Sequence, residues 1–221
     1  MILYGNIEQV RKDIASCGRE VVLIAACKTQ TKDVIDGFMA YAPDFVLGEN
    51  RVQELTAKYD AKYDWHFIGQ LQTNKVKYII DKVSLIHSLD RLELANEIEK
   101  QAAKRHKVQA CLIEVNMGGE LTKGGVSPND ALDFIRSLKD FEHIKIEGIM
   151  SVLPNLGDTE KLHSLYEKLY GLFENAKGLT QPNADVKYLS AGMSADYKIA
   201  LAHGANMIRL GRIIFGERPA I

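Results

Sequence analysis

The sequence predicts one eight-stranded parallel (β/α)8 barrel, and three observations predict it. Short apolar runs alternate with amphipathic stretches of helical period along the 221 residues, the pattern of strands joined by helical crossovers in a parallel sheet. Eight such runs are present, the number that closes a barrel, and the length fits a compact version. An open doubly wound sheet also fits the alternation, but Gly118, Gly119 and Gly124 do not form its G-x-G-x-x-G turn. Residues 1–221 are therefore expected to form one domain, with an extra helix ahead of the first strand.

That leading helix is read from Ile7, Val10 and Ile14 at helical spacing, with Gly18 as its stop. The first strand is the run Val21 to Cys27, buried on both faces by its composition and closed by Lys28. Thr31 can cap a helix carrying Val34, Ile35, Phe38 and Met39, which Pro43 breaks. Asp44 to Leu47 is the second strand, Glu49 to Tyr63 a helical stretch, and Asp64 to Ile68 the third strand, ending at Gly69. Thr73 to Asp81 reads as a short helix, Ser84 to His87 as a strand, and Asp90 as the cap of a helix reaching Arg105. Val108 to Val115 is the fifth strand, and Ser127-Pro128 opens a helix ending near Lys139, with proline at its first position. Ile144 to Gly148, Val186 to Leu189 and Asn206 to Leu210 complete the strands, separated by helices over Asp158 to Lys177 and Ser194 to His203.

Composition narrows the function. With 28 basic against 29 acidic residues the net charge is −1, so no global field attracts nucleic acid or a membrane surface. Cys17, Cys27 and Cys111 have no metal-like spacing and read as reduced thiols. Residues Met1 to Lys12 carry charges and no apolar core, unlike a signal peptide, and no run is long enough to span a bilayer. A cytoplasmic protein without a metal site is expected.

Chemistry in such a barrel collects at the C-terminal ends of the strands. Those ends read Lys28; Gly48-Glu49-Asn50; His66 to Gly69; His87-Ser88; Glu114-Val115-Asn116; Met150-Ser151; Ser190 to Ser194; and Arg209 to Arg212. A lysine at the rim of a core is partly desolvated, which disfavours its charged form and frees the amine to condense with an aldehyde. The same residue also fits a strand terminus whose stem snorkels to water. Ser190 to Ser194 joins a strand to a helix whose amides suit an anion, and Gly211 offers another close amide; Ser194 fits an ordinary helix cap equally well. Barrels commonly hold phosphate at the loops after strands seven and eight. Arg209, set between Ile208 and Leu210, demands a partner, either a ligand or a carboxylate such as Glu114. Together the ends outline a site for a phosphorylated, aldehyde-bearing ligand.

These segments carry a resemblance. Lys28-Thr29, Gly48 to Glu54, Trp65 to Lys75, Gly148 to Ser151, Leu189 to Ser194 and Arg209 to Gly216 resemble the pyridoxal phosphate homeostasis family, the YggS/PROSC group, across nearly the whole chain. The stretch W-H-F-I-G-x-L-Q-x-N-K is its most specific part. The resemblance implies the barrel of the alanine racemase N-terminal domain without a second domain. It implies pyridoxal 5'-phosphate as cofactor, Lys28 as the Schiff-base lysine, and Arg209 facing the pyridine nitrogen. It further implies Ser190, Ser194, Gly211 and Arg212 around the phosphate, with Asn50, Met150 and Ser151 lining the cofactor. The chain departs from the common pattern at Cys27, Val152, Ala191 and Arg212, where the family more often has Ser or Ala, Met, Met and Thr.

The implied function is cofactor holding and release in vitamin B6 homeostasis, with apo-enzymes or free amino acids as recipients and a monomeric chain. No catalytic residue is assigned. Arg209 has donors only, which keeps a ring nitrogen unprotonated and works against carbanion chemistry, and a racemase would need a second base from outside the barrel. A small racemase and a cofactor-free lysine aldolase are the competing classes. His66 and His87 read as satisfied structural groups and Trp65 as barrel–helix packing. Lys75 and Lys77 read as a solvated helix face, and Arg51 and Glu54 as facing solvent or each other.

Overall fold

The computed structural model describes residues 2–120, 124–154 and 157–217. Its strands are β1 (Val22–Ala26), β2 (Val46–Glu49), β3 (Trp65–Phe67), β4 (Leu85–Leu89), β5 (Gln109–Glu114), β6 (Ile144–Met150), β7 (Ala184–Ser190) and β8 (Met207–Leu210). All neighbours pair in parallel and β1 closes on β8, giving a barrel in sequence order. Outside lie α1 (Tyr4–Ala15), α2 (Lys32–Tyr41), α3 (Val52–Lys58), α4 (Leu92–Ala103), α5 (Ala131–Ser137), α6 (Thr159–Lys177), α7 (Tyr197–Ala202) and α8 (Arg212–Phe215). The expected fold class and the leading helix are both present.

Strand parity divides the core in two. Ile24 and Ala26 of β1 pack inside the barrel with Ile68, Leu85, Leu112, Met150 and Met207. Their alternates, Leu23, Ala25 and Cys27 on β1 and Ile208 and Leu210 on β8, pack outward against the helices. This is the period-two rule applied to a closed sheet. It leaves Lys28 at the next inward-parity position beyond Ala26. The same parity sets Asn50, Glu114, Ser190 and Arg209 at the inward positions of their own strand ends.

Several boundaries differ from the sequence reading, each for a local reason. Thr31 caps α2 as expected, accepting from Val34 N, and Asp158 caps α6 through Lys161 N. Asp90 does not cap α4: its carboxylate accepts from Arg91 and from Gly125 N, and the helix starts at Leu92. Ser127 accepts from Asp130 N, so Ser127-Pro128 shapes a turn ahead of α5. Ser194 likewise precedes α7 without capping it. Residues Thr73–Tyr78 form a 3-10 turn. β6 runs on to Met150 because β5 and β7 both pair there, and β7 starts at Ala184 through its pairing with Ile146 of β6. α8 has four residues, too short for periodicity to reveal. α1 docks on it through Leu3 N to Ile214 O (2.8 Å) and Asn6 Nδ2 to Ile213 O (2.9 Å).

The Cys17, Cys27 and Cys111 thiols are all unbridged. Among the described residues no helix is long and apolar enough to cross a membrane, and no group of three or more His, Cys, Asp or Glu side chains suits a metal ion.

Candidate functional site

Buried polar groups interrupt the apolar interior of the barrel towards the C-terminal ends of its strands, and Arg209 joins several of them. β8 carries this residue beside β1, with Ile24 opposite Arg209 in the ladder. Arg209 is 5% exposed. Nη1 donates to Ser190 Oγ (2.6 Å) and Nη2 to the Ser151 carbonyl (2.9 Å). Burial lowers its proton affinity, while Tyr166, Glu114 and Asp196 favour the cation. Glu114 acts on it only through the field, since neither hydrogen bond nor ion pair joins them. The pairing of Arg209 with Glu114 that the strand pattern allowed does not form.

Ser190 transmits this contact into a second chain of groups. Its oxygen accepts from arginine, which has no acceptor, so its own proton goes to His87 Nδ1 at 3.1 Å. His87 therefore carries its proton on Nε2 and donates to His66 Nδ1, also at 3.1 Å. These tautomers are assigned by the network. His66 Nε2 then faces Asp64, 3.9 Å away. It borders a cavity of about 340 Å³ at the opposite end of the barrel, lined also by Val22, Val46, Leu85 and Met207. Burial pulls His66 down to about 4 and His87 well below its ordinary value. Both rings are neutral in the folded chain at neutral pH. Their contribution to stability is therefore lost as pH falls from the ordinary histidine range through about 4. Both histidines are hydrogen-bonded inside the barrel, as expected of structural groups: His87 to Ser190 and His66 to His87.

Glu114 has the opposite linkage. It sits at the inward end of β5, and its Oε2 has no hydrogen-bond partner among the described residues. Burial pushes its carboxyl up to about 7; Asp90 adds to this, and Arg209 and Arg91 oppose it. A folded-state value above the unfolded one means that stability is lost as pH rises through about 7. Glu114→Gln is expected to raise the Tm at pH 8 by roughly 4 °C and to leave it nearly unchanged at pH 5. Thermal melts at the two pH values check this, and equal shifts at both would count against it.

The loops after β7 and β8 lie side by side. Arg209 N donates to Gly192 O (3.0 Å). Gly192 has φ +93°, a region that side chains rarely enter, and a Cβ there would lie 2.6 Å from Ala200 Cβ. Ser194 Oγ accepts from Gly211 N (3.3 Å) and Ile213 N (3.2 Å), so it caps α8 across space. Asp196 secures the same loop, accepting from Met193 N (2.7 Å) and from the Tyr166 hydroxyl (2.6 Å). Burial, with Asp196 beside it, raises the Tyr166 phenol.

The structure thus brings together Ser190, Ser194, Arg209, Gly211 and the Ser151 carbonyl. The Ser151 hydroxyl itself donates to Val115 O (2.7 Å), and Met150 is buried in the inner apolar layer. The Arg212 side chain is 56% exposed and pairs with Glu217 at 3.7 Å. Asn50 follows β2, and its Oδ1 is buried without a partner among the described residues. Lys28 lies half-buried in the turn after β1.

One group was missed in the sequence. Arg51 and Glu54 do pair with each other, at 3.6 Å, but Glu54 does more: its Oε2 accepts from Thr29 N at 2.7 Å, and Lys58, four residues on, pairs with Glu49 at 2.6 Å. Their i,i+4 spacing on a helix following strand β2 was the available signal.

The closed parallel barrel is of the alanine racemase N-terminal type. A family model described as "Alanine racemase, N-terminal domain" matches residues 3–219. A pyridoxal phosphate homeostasis protein of Aquifex aeolicus is 42% identical over 219 residues, covering 96% of this chain and 95% of the relative. One from Helicobacter pylori (strain 26695) is 33% identical, covering 89% and 88%. The solved structure of PipY of Synechococcus elongatus with PLP bound superposes with TM-score 0.80 at 27% identity, over 96% of this chain and 99% of that one. Alanine racemase of Clostridium difficile, at 17% identity and TM-score 0.71, shares the fold over 62% of its length. The chain belongs to the pyridoxal phosphate homeostasis protein family.

Proposed function

We propose that this single barrel domain binds pyridoxal 5'-phosphate at the C-terminal mouth and serves vitamin B6 homeostasis, holding the cofactor and releasing it. The observation that carries the reading is Arg209. Two of its N–H groups are spent on Ser190 and Ser151, which fixes a cation inside the barrel on the strand next to the one that ends in Lys28. The orphaned Asn50 Oδ1 is a second fit, because a buried acceptor without a donor is costly unless a ligand supplies one.

When bound, the cofactor supplies an aldehyde with which amines condense and exchange. Lys28 is the amine that holds it. Arg209 can only donate, so it places no proton on a ring nitrogen that it meets. Met150 would offer apolar surface to the ring. The β7–α7 loop with Ser194, the Gly211 backbone and Arg212 would hold the phosphate. Ser190 and Ser151 act through Arg209, since the Ser190 hydroxyl is engaged by Arg209 and His87 and the Ser151 hydroxyl by Val115 O.

A protein that holds rather than turns over its cofactor fits these residues. His66 and His87, the ring bases nearest the centre, are neutral and committed to each other and to Ser190. The relatives matched over nearly their whole length carry homeostasis names. Recipients are apo-enzymes and free amino acids, the chain acts as a monomer, and it works in the cytoplasm. The test is transfer. Loaded protein is expected to reactivate an apo-enzyme that needs the cofactor, and to show no enantiomer interconversion of alanine above buffer. Racemisation at an ordinary enzymatic rate, lost in Lys28→Ala, would replace this reading with the racemase one.

A further inference from the structure

The turn that carries Lys28 is held from below by charged groups that the binding site does not use. Cys27 to Gln30 forms a turn closed by Gln30 N to Cys27 O (3.0 Å), with Thr29 at φ +68°. A β-branched residue in that region is strained unless its surroundings impose the conformation. The surroundings do so. Lys58 Nζ, 6% exposed, donates to Cys27 O (2.7 Å) and Gln30 O (3.3 Å), the carbonyls on either side of the turn. Glu54 Oε2 accepts from Thr29 N (2.7 Å) and lies 3.5 Å from the same ammonium. Glu49, fully buried, pairs with Lys58 at 2.6 Å and accepts from Asn50 N at 2.8 Å through its other oxygen.

We propose that Lys58 and Glu54, with Glu49, are positioning residues that set the Lys28 turn for aldehyde condensation; this rests on the reading of Lys28 as the cofactor-binding amine. A buried ion pair is weak as a stability device, because apolar replacements of similar volume often serve equally well. Here the charges are spent on particular backbone groups. Each end of the turn, its strained residue and the Asn50 backbone are fixed by one connected network. α3 thereby couples the ends of β1 and β2, the two strands that deliver Lys28 and Asn50.

The test uses the full chain with Lys58→Met, Glu54→Ala and Lys58→Arg. Three quantities are read: amide exchange at Thr29 without ligand, the rate of condensation with pyridoxal 5'-phosphate, and affinity for pyridoxine 5'-phosphate, which has ring and phosphate but no aldehyde. Lys58→Met and Glu54→Ala are each expected to accelerate Thr29 exchange and slow condensation by about tenfold, with pyridoxine 5'-phosphate affinity within about twofold. Lys58→Arg, which can still donate to both carbonyls, is expected to recover part of the rate. Should Lys58→Met fail to fold, Glu54→Ala, at a partly exposed residue, decides alone. Unchanged condensation in variants with faster Thr29 exchange overturns the proposal, as does a parallel loss of pyridoxine 5'-phosphate affinity. Condensation surviving in Lys28→Ala, or absent from the wild-type chain, refutes instead the reading of Lys28 on which the proposal rests.

Discussion

Lys28→Ala is expected to abolish the visible absorption expected to develop when pyridoxal 5'-phosphate is added to the wild-type chain, and to leave the fold intact. The expectation of a large spectroscopic effect and a small structural one follows from where the residue sits. Lys28 is half-buried in a turn whose backbone is fixed by Cys27, Gln30, Lys58 and Glu54, none of which depends on its side chain. Removing the amine therefore removes the only group assigned to condense with the aldehyde. Arg209, Ser194 and Gly211 remain to bind ring and phosphate non-covalently. Weak residual binding with an unmodified aldehyde spectrum is the expected state of the variant. A spectrum identical to wild type would mean that another lysine is the amine.

Ser190→Ala has the largest expected effect on stability. The hydroxyl is buried and serves two neighbours, accepting from Arg209 Nη1 and donating to His87 Nδ1. Alanine leaves both without that partner in a closed space, and one of them is a cation. Unsatisfied buried groups of this kind cost about 1–3 kcal/mol each, more when charged, so a loss of roughly 3 kcal/mol is expected. Ser151→Ala provides the comparison. Arg209 uses the Ser151 carbonyl, which the substitution leaves in place, and only the bond to Val115 O is lost. Its cost is expected near 1 kcal/mol. Urea denaturation at pH 7 reads both, and equal losses would show that the Ser190 hydroxyl is not the keystone of the Arg209 network.

The fold was legible because the barrel repeats one simple signal. Eight apolar runs separated by amphipathic segments leave little freedom in topology once the sheet is parallel. What the pattern could not supply were contacts between distant segments. Ser194 reads as a cap for the helix that follows it, yet its oxygen caps α8, 17 residues away at Gly211 N. Asp90 has the composition of a cap but serves Gly125 N, 35 residues on. Both side chains sit in loops that the closed barrel brings next to other loops, where a nearby donor competes with the local helix end.

The site divides the same way. Strand-end positions alone collected Lys28, Asn50, Ser190, Arg209 and Gly211 on one rim, because parity and strand direction are readable in sequence. Partner choice was not. Arg209 invited a carboxylate and found two serines, and Glu114, with no ion-pair partner among the described residues, has its carboxyl pushed up to about 7 by burial. Glu54 read as facing solvent or Arg51; it does pair with Arg51, and it also fixes Thr29. A buried polar network has many combinations of donors and acceptors that satisfy it equally, and only the packed backbone selects one.

The central claim is that Lys28 is the amine at the mouth of this barrel, and reductive trapping tests it most directly. The wild-type chain is mixed with pyridoxal 5'-phosphate, reduced with borohydride, digested and mapped by mass spectrometry. The account predicts one dominant phosphopyridoxyl adduct, on the peptide containing Lys28, diminished when an amino acid is added before reduction. A dominant adduct on any other lysine, or none above the level of a denatured control, would contradict it.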